Sequence, residues 1–183
     1  MQQLDREVAN SDALVIDSNP TSRSVIVQNL RDFGFGSVKA VGRIIDAREA
    51  LERRRFDVVI CDYHFESGDE SGQDLLEELR REQLLPYSTV FVMVTGDATY
   101  QKVAEAAEAA LDSYLIKPFS ANTLFDRLQE ARKRKRVLRD IFIAMDAHEY
   151  ELAAQLCMTR FQNRELYWLY CTQRASAPSC CST

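Results

Sequence analysis

Four short apolar runs in this sequence each end on a residue able to do chemistry. ALVID ends at Asp17, VVICD at Asp62, FVMVT at Thr95 and SYLIK at Lys117. Carboxylates are the oxygen ligands that a hard divalent cation takes, and a carboxylate oxygen is also a nucleophile. An ammonium and a hydroxyl supply the hydrogen bonds that the other oxygens of a transferring phosphoryl group require. Singly, each of the four is as readily a loop cap. Together, at the ends of four separate runs, they form a set suited to handling phosphate. With only two histidines, His64 and His148, and no Cys-x-x-Cys pair, the chain can assemble neither a structural zinc site nor a three-His catalytic one, so a metal held by oxygen is expected.

Such a set works only if the chain gathers it at one place. From Asp12 to about Arg132, short apolar runs alternate with amphipathic segments of helical length, the pattern of parallel strands joined by crossover helices. Strands are expected at Ala13–Ile16, Val38–Val41, Val58–Cys61, Thr89–Val94 and Ser113–Ile116. Helices are expected at Thr21–Asp32, Ile44–Arg55, Gln73–Gln83, Thr99–Ala110 and from Asn122 onward. The fold class is therefore α/β, a doubly wound five-stranded parallel sheet. Ligands of such sheets bind beyond the carboxyl ends of the strands, where the strand order reverses. All four residues fall there.

Asp17, Asp62, Thr95 and the Lys117-Pro118 pair resemble the receiver domain of two-component response regulators, a flavodoxin-like module phosphorylated on Asp by a partner histidine kinase. The resemblance implies that Asp62 is the phosphoacceptor, that Asp17 helps hold Mg²⁺, that Thr95 bonds the phosphoryl group and that Lys117 pairs with phosphate or carboxylate. Tyr114 matches the aromatic switch position, and Gly72 the glycine opening the third helix. His64 and Asp97, two places after Asp62 and Thr95, match positions that tune the lifetime of the phosphoryl group, and the backbone carbonyl of His64 is an implied metal ligand. One departure stands out: the family usually has a second acid after the first strand, and here that place is Ser18. Either Asp17 and water complete the metal shell, or Mg²⁺ binding is impaired. Cys61 reads as a small apolar strand residue.

Composition narrows the function classes. The 183 residues carry 23 Lys+Arg against 28 Asp+Glu, a net charge of −5, which does not favour coating nucleic acid. No apolar run approaches the ~20 residues that cross a bilayer, the N-terminus lacks a secretory pattern, and five scattered cysteines are not a disulfide framework. A cytoplasmic protein with reduced thiols is expected.

Past Glu130 the composition changes. ARKRKRVLR is basic and reads as a solvated helix face, IFIAMDAHEYELAAQLCMTRF as two helices about a turn near Ala147 to Glu149, and RELYWLYCTQRA as a further helical segment. HEYELAAQL resembles the centre of a tetratricopeptide repeat, with His148 where the turn often has Gly; a plain helical hairpin reads equally well. The expected organisation is a tail at 1–11, a receiver domain at 12–131, an all-α extension at 132–175 and a disordered tail at 176–183.

The implied function is a phosphorylation-regulated switch, not a metabolic enzyme. It takes its phosphoryl group from a sensor histidine kinase or a phosphotransfer protein and signals through its C-terminal helices to a protein partner or a second copy, as a homodimer. The competing class is a phosphorylation-independent pseudo-receiver acting as scaffold or dimerisation module, for which Ser18 speaks. An Asp-nucleophile phosphatase would want an acid where His64 stands, and a DNA-binding regulator would need a recognition-helix module.

Overall fold

The computed structural model describes residues 6–65, 70–96 and 112–163. The chain divides into two compact units, residues 1–137 and 138–183.

The first unit is built on five parallel strands, β1 (Asp12–Ile16), β2 (Ser37–Val41), β3 (Val58–Asp62), β4 (Val90–Thr95) and β5 (Ser113–Ile116), in the order β2-β1-β3-β4-β5. The strands expected from the apolar runs are all present. β3 and β4 are buried along their whole length, as their unbroken runs of apolar and β-branched residues require. β2, at the edge, is partly exposed throughout and mixes Lys39 with valines.

Alternation along the strands divides the core in two. Leu14, Ile16, Val59, Cys61, Phe91 and Met93 face a layer containing α3 (Ile44–Arg53) and α4 (Gly72–Arg81). Ala13, Val15, Val58, Ile60, Val92 and Val94 face the layer of α2 (Pro20–Asp32) and α5 (Ala121–Val137). Local signals start α2 and α4. The Asn19 side chain accepts from the Thr21 and Ser22 N–H groups with Pro20 in the first turn, and Ser71 and Asp74 cap α4 reciprocally. The helix expected at Thr99–Ala110 lies outside the described residues.

Residues 6–11, read from sequence as part of a tail, are integrated. Arg6–Ala9 forms the short helix α1, and Val8 is buried in the second core layer. Gly36 is what lets this segment lie close, because a Cβ there would come within 2.1 Å of the Ala9 carbonyl oxygen.

The basic run also differs from expectation. Most of it forms the last turns of α5, and while Lys133, Arg136 and Arg139 are exposed, Arg132, Arg134 and Lys135 are engaged. Lys135 Nζ lies 2.8 Å from Asp112 and donates to the Tyr87 carbonyl, Arg134 donates to the Asp112 carbonyl, and Arg132 donates to Ser11 Oγ at 3.2 Å. Asp112, Tyr87 and Ser11 precede β5, β4 and β1, so these cations tie α5 to the strand N-termini, the edge opposite the chemistry-bearing residues.

The second unit contains α6 (Arg139–Asp146) and α7 (Tyr150–Gln162). Ile141, Ala144 and Ala153 are buried between them, flanked by Leu138, Met145 and Leu156, and Arg160 pairs with Asp140 at 2.9 Å. His148 makes the turn with φ 60°, in the left-handed region that favours glycine. Among the described residues no helix is long and apolar enough to cross a membrane.

Candidate functional site

Strand register assembles the site. Ile16 pairs with Cys61, so the next residues, Asp17 and Asp62, leave adjacent strands at one level. Asp62 pairs with Val94, which brings Thr95 one step beyond, and Thr95 pairs with Ile116, which does the same for Lys117. β1 and β3 are the neighbours at which the strand order reverses, where a crevice must open.

Lys117 closes the group. Its Nζ donates to Asp17 Oδ2 and to Asp62 Oδ2, each at 2.9 Å, bridging residues 100 and 55 positions away. Asp17 and Thr95 are buried, and Asp62 is 8% exposed. Burial pushes the Asp62 carboxyl above its ordinary range, although the Lys117 ammonium pulls it the other way. Burial also pulls the Lys117 ammonium down, but hydrogen bonds and attraction to the two carboxylates outweigh it and hold the ammonium above its usual value. The cluster thus keeps two acids and a charged donor within hydrogen-bonding reach.

Sequence reasoning missed the residues that hold Asp17. Its Oδ1 accepts the Asn19 N–H at 2.8 Å, and its Oδ2 accepts the Ser22 hydroxyl at 2.6 Å as well as Lys117. Arg23 reaches back to donate to the carbonyls of Asp17 at 2.5 Å and Ser18 at 3.4 Å. The signal was present in DSNPTSR, where an Asx turn and a helix cap share one stretch. Gly72 meets its expectation at the start of α4: a Cβ there would stand 2.3 Å from the Asp62 carbonyl oxygen and 3.0 Å from Met93 Sδ. Cys61 is fully buried, and burial pushes its thiol far up, which keeps it neutral and inert.

The donor chemistry fits Mg²⁺. This ion is satisfied by one or two carboxylates, a substrate phosphate and waters. Asp17 and Asp62 supply two adjoining carboxylates, each with acceptor capacity beyond its present hydrogen bonds, and the carbonyl of His64 follows on the same loop. Ser18, the residue after Asp17, brings no second charge to this loop.

Other expected residues are less central. The His64 ring is exposed and stands edge-on to Tyr63, with centroids 4.8 Å apart. Tyr114 pairs with Met93 in the sheet and packs, partly buried, against the α3–α4 core. Asp97 lies outside the described residues.

Comparison with known proteins finds the family described as response regulator receiver domain over residues 13–129. Chemotaxis protein CheY-3 of Vibrio cholerae is 31% identical over 125 residues, 68% of this chain and 94% of that protein. Chemotaxis protein CheY of Pseudomonas aeruginosa is 31% identical over 121 residues, 66% of this chain and 95% of its own. Among solved structures, a response regulator receiver domain protein of Clostridium thermocellum superposes with a TM-score of 0.60 at 25% identity, covering 70% of this chain and 99% of that one.

Proposed function

The chain belongs to the response regulator receiver family of two-component signalling, and from that premise we propose that Asp62 accepts a phosphoryl group from a histidine kinase or phosphotransfer protein. The observation that carries this reading is the Lys117 bridge, which leaves a buried acid poised beside a second acid and a charged donor. An Asp62 carboxylate oxygen forms the bond to phosphorus as the donor's P–N bond breaks, and the departing electron pair returns to the donor imidazole. Lys117 moves from sharing two carboxylates to pairing with a phosphoryl oxygen, and the Thr95 hydroxyl donates to another. Asp17, held by Asn19 and Ser22, is the fixed anion that, with Asp62 and the His64 carbonyl, would hold Mg²⁺. When bound, that ion neutralises phosphoryl oxygens and so favours transfer.

The output follows from packing. Thr95 and Tyr114 sit on neighbouring strands, so a shift of Thr95 toward phosphate opens space for the Tyr114 ring and reports phosphorylation on the surface around β5. His64 and Asp97 tune how long the phosphoryl group lasts. The C-terminal helices deliver the signal by protein binding, in the cytoplasm, without contact with nucleic acid or membrane. Incubation with acetyl phosphate and Mg²⁺ should add one phosphoryl group to the intact mass, and Asp62→Asn should take none. A full adduct on Asp62→Asn would overturn the assignment. Ser18 favours the second reading, a phosphorylation-independent scaffold, which stands if the native chain stays unlabelled at saturating Mg²⁺. The Tyr114 ring should change environment with beryllofluoride by NMR; an unchanged ring removes the switch.

A further inference from the structure

The oxygen acceptors of the loop between β1 and α2 are turned inward, onto the loop's own donors. A carboxylate offers about four lone-pair positions. In Asp17 three are taken: Oδ1 accepts the Asn19 N–H at 2.8 Å, and Oδ2 accepts both the Ser22 hydroxyl at 2.6 Å and Lys117 Nζ at 2.9 Å. One position remains, on Oδ1. The group is also buried, so it has little freedom to swing out of this arrangement. The backbone is engaged in the same way. Arg23 Nη1 donates to the Asp17 carbonyl at 2.5 Å and reaches the Ser18 carbonyl at 3.4 Å, and Gly42 leaves room for it, since a Cβ there would stand 2.9 Å from that nitrogen. A permanently charged guanidinium thus sits against the two carbonyls that the loop could otherwise turn to a cation.

Ligand number separates the two common hard divalent ions. Ca²⁺ takes about six to eight oxygens, bidentate carboxylates and backbone carbonyls among them, whereas Mg²⁺ is held by one or two carboxylates and keeps several waters. A loop that presents one carboxylate lone pair and covers its carbonyls suits Mg²⁺ and not Ca²⁺. The Ser22 hydroxyl is the part of this arrangement that α2 does not need for itself, because the Asn19 side chain already caps the Thr21 and Ser22 N–H groups. We infer that Ser22 is a specificity-determining residue of the metal site: by holding Asp17 Oδ2 it confines Asp17 to one outward lone pair, and so makes the site prefer Mg²⁺ to Ca²⁺. The inference deepens the phosphoryl-acceptor reading and rests on it for the place of the cation, beside Asp17 and Asp62.

The quantity to measure is the ratio of the Ca²⁺ to the Mg²⁺ dissociation constant. It is read on the isotope-labelled full chain by titrating magnesium or calcium chloride and following the Asn19 amide, which donates to Asp17. The native ratio should exceed one. Ser22→Ala, which favours the helix and so keeps the fold, should weaken Mg²⁺ about tenfold, the usual effect of losing a group that orients a metal ligand. It should weaken Ca²⁺ less, so that the ratio falls at least about threefold. Ser22→Thr keeps the hydroxyl and should hold the ratio near its native value. Ser24→Ala, which removes a hydroxyl bonded to the Pro20 carbonyl in the same helix, should leave it unchanged. A native ratio below one overturns the inference. So does equal weakening of both ions in Ser22→Ala, which means that Ser22 supports the loop without choosing the ion, and so does a Ser22→Thr chain that behaves like the alanine variant. Acetyl phosphate labelling of the same samples separates this from the reading beneath it. Asp62 labelled in Mg²⁺ with an unmoved ratio overturns the selectivity alone, whereas a native chain that binds neither ion and takes no label overturns both.

Discussion

Replacing Lys117 with Met keeps the volume and removes the charge that bridges Asp17 and Asp62. Each hydrogen bond to a charged partner contributes about 1.5–3 kcal/mol, and removing one member of a buried ion pair typically costs 3–5 kcal/mol because the other charge is left stranded. Here two carboxylates are stranded side by side, one 1% and the other 10% exposed at the side chain, but Lys117 itself is 24% exposed and water relieves part of the loss. We expect a destabilisation of about 2–4 kcal/mol at pH 7. The signature is its pH dependence. Without the ammonium, burial and the neighbouring Asp17 charge both favour protonated Asp62, so the variant should recover stability as pH falls toward the ordinary carboxylate range near 4. Urea denaturation in EDTA at pH 7 and pH 5 measures both quantities. Mg²⁺ should also stabilise the variant more than the native chain, as a cation bound to the folded state replaces the missing charge. A loss below about 1 kcal/mol at pH 7, or a loss equal at pH 5 and 7, would refute the picture of two buried carboxylates held by one lysine.

Asp62 has a folded-state value above its ordinary one, so the stability it contributes is present below the normal carboxylate range and is lost as pH rises through the folded value. Asp62→Asn should therefore remove part of the decline in the urea midpoint between about pH 4 and neutrality, and a variant whose profile overlays the native one contradicts this. Ser18→Asp should tighten Mg²⁺ about tenfold or more, since one added charge near a divalent ion is worth a few kcal/mol at an effective dielectric of 20; calorimetric titration showing no change would place Ser18 away from the ion. Gly72→Ala must push on the Asp62 carbonyl, so a loss of about 1–3 kcal/mol with slower acetyl phosphate labelling is expected, and unchanged stability and rate would disprove the close approach. His148→Gly relieves a left-handed φ but removes the contact of its Nδ1 with the Tyr150 hydroxyl at 2.9 Å, so the net gain in thermal stability should stay under about 1 kcal/mol.

The order of elements was written locally. Runs such as VVICD and FVMVT are apolar on both faces and short, which only a buried parallel strand satisfies, and Asn19-Pro20 and Ser71 mark helix starts within a few residues of themselves. With the strands placed, the chemistry-bearing residues at their ends were legible as a set, because the sheet points every strand's carboxyl end the same way. The sequence did not hold what depends on distance between elements. That one lysine bridges both acids comes from the register of four strands, and no local pattern encodes register between segments 55 and 100 residues apart. The basic residues of α5 read as a solvated face because charge predicts water on average. The sheet's N-terminal edge instead presents Asp112 and the Tyr87 carbonyl oxygen to them, and Lys135 is drawn in to pair at 2.8 Å. Val8 read as tail for the same reason: its burial comes from a surface that α2 and α5 create together, and Gly36 admits the segment by having no side chain, a fact that only the approach of Ala9 makes meaningful. Periodicity and capping are properties of neighbours in the chain, whereas charge pairing and close approach are properties of neighbours in space, and only the folded sheet brings those together.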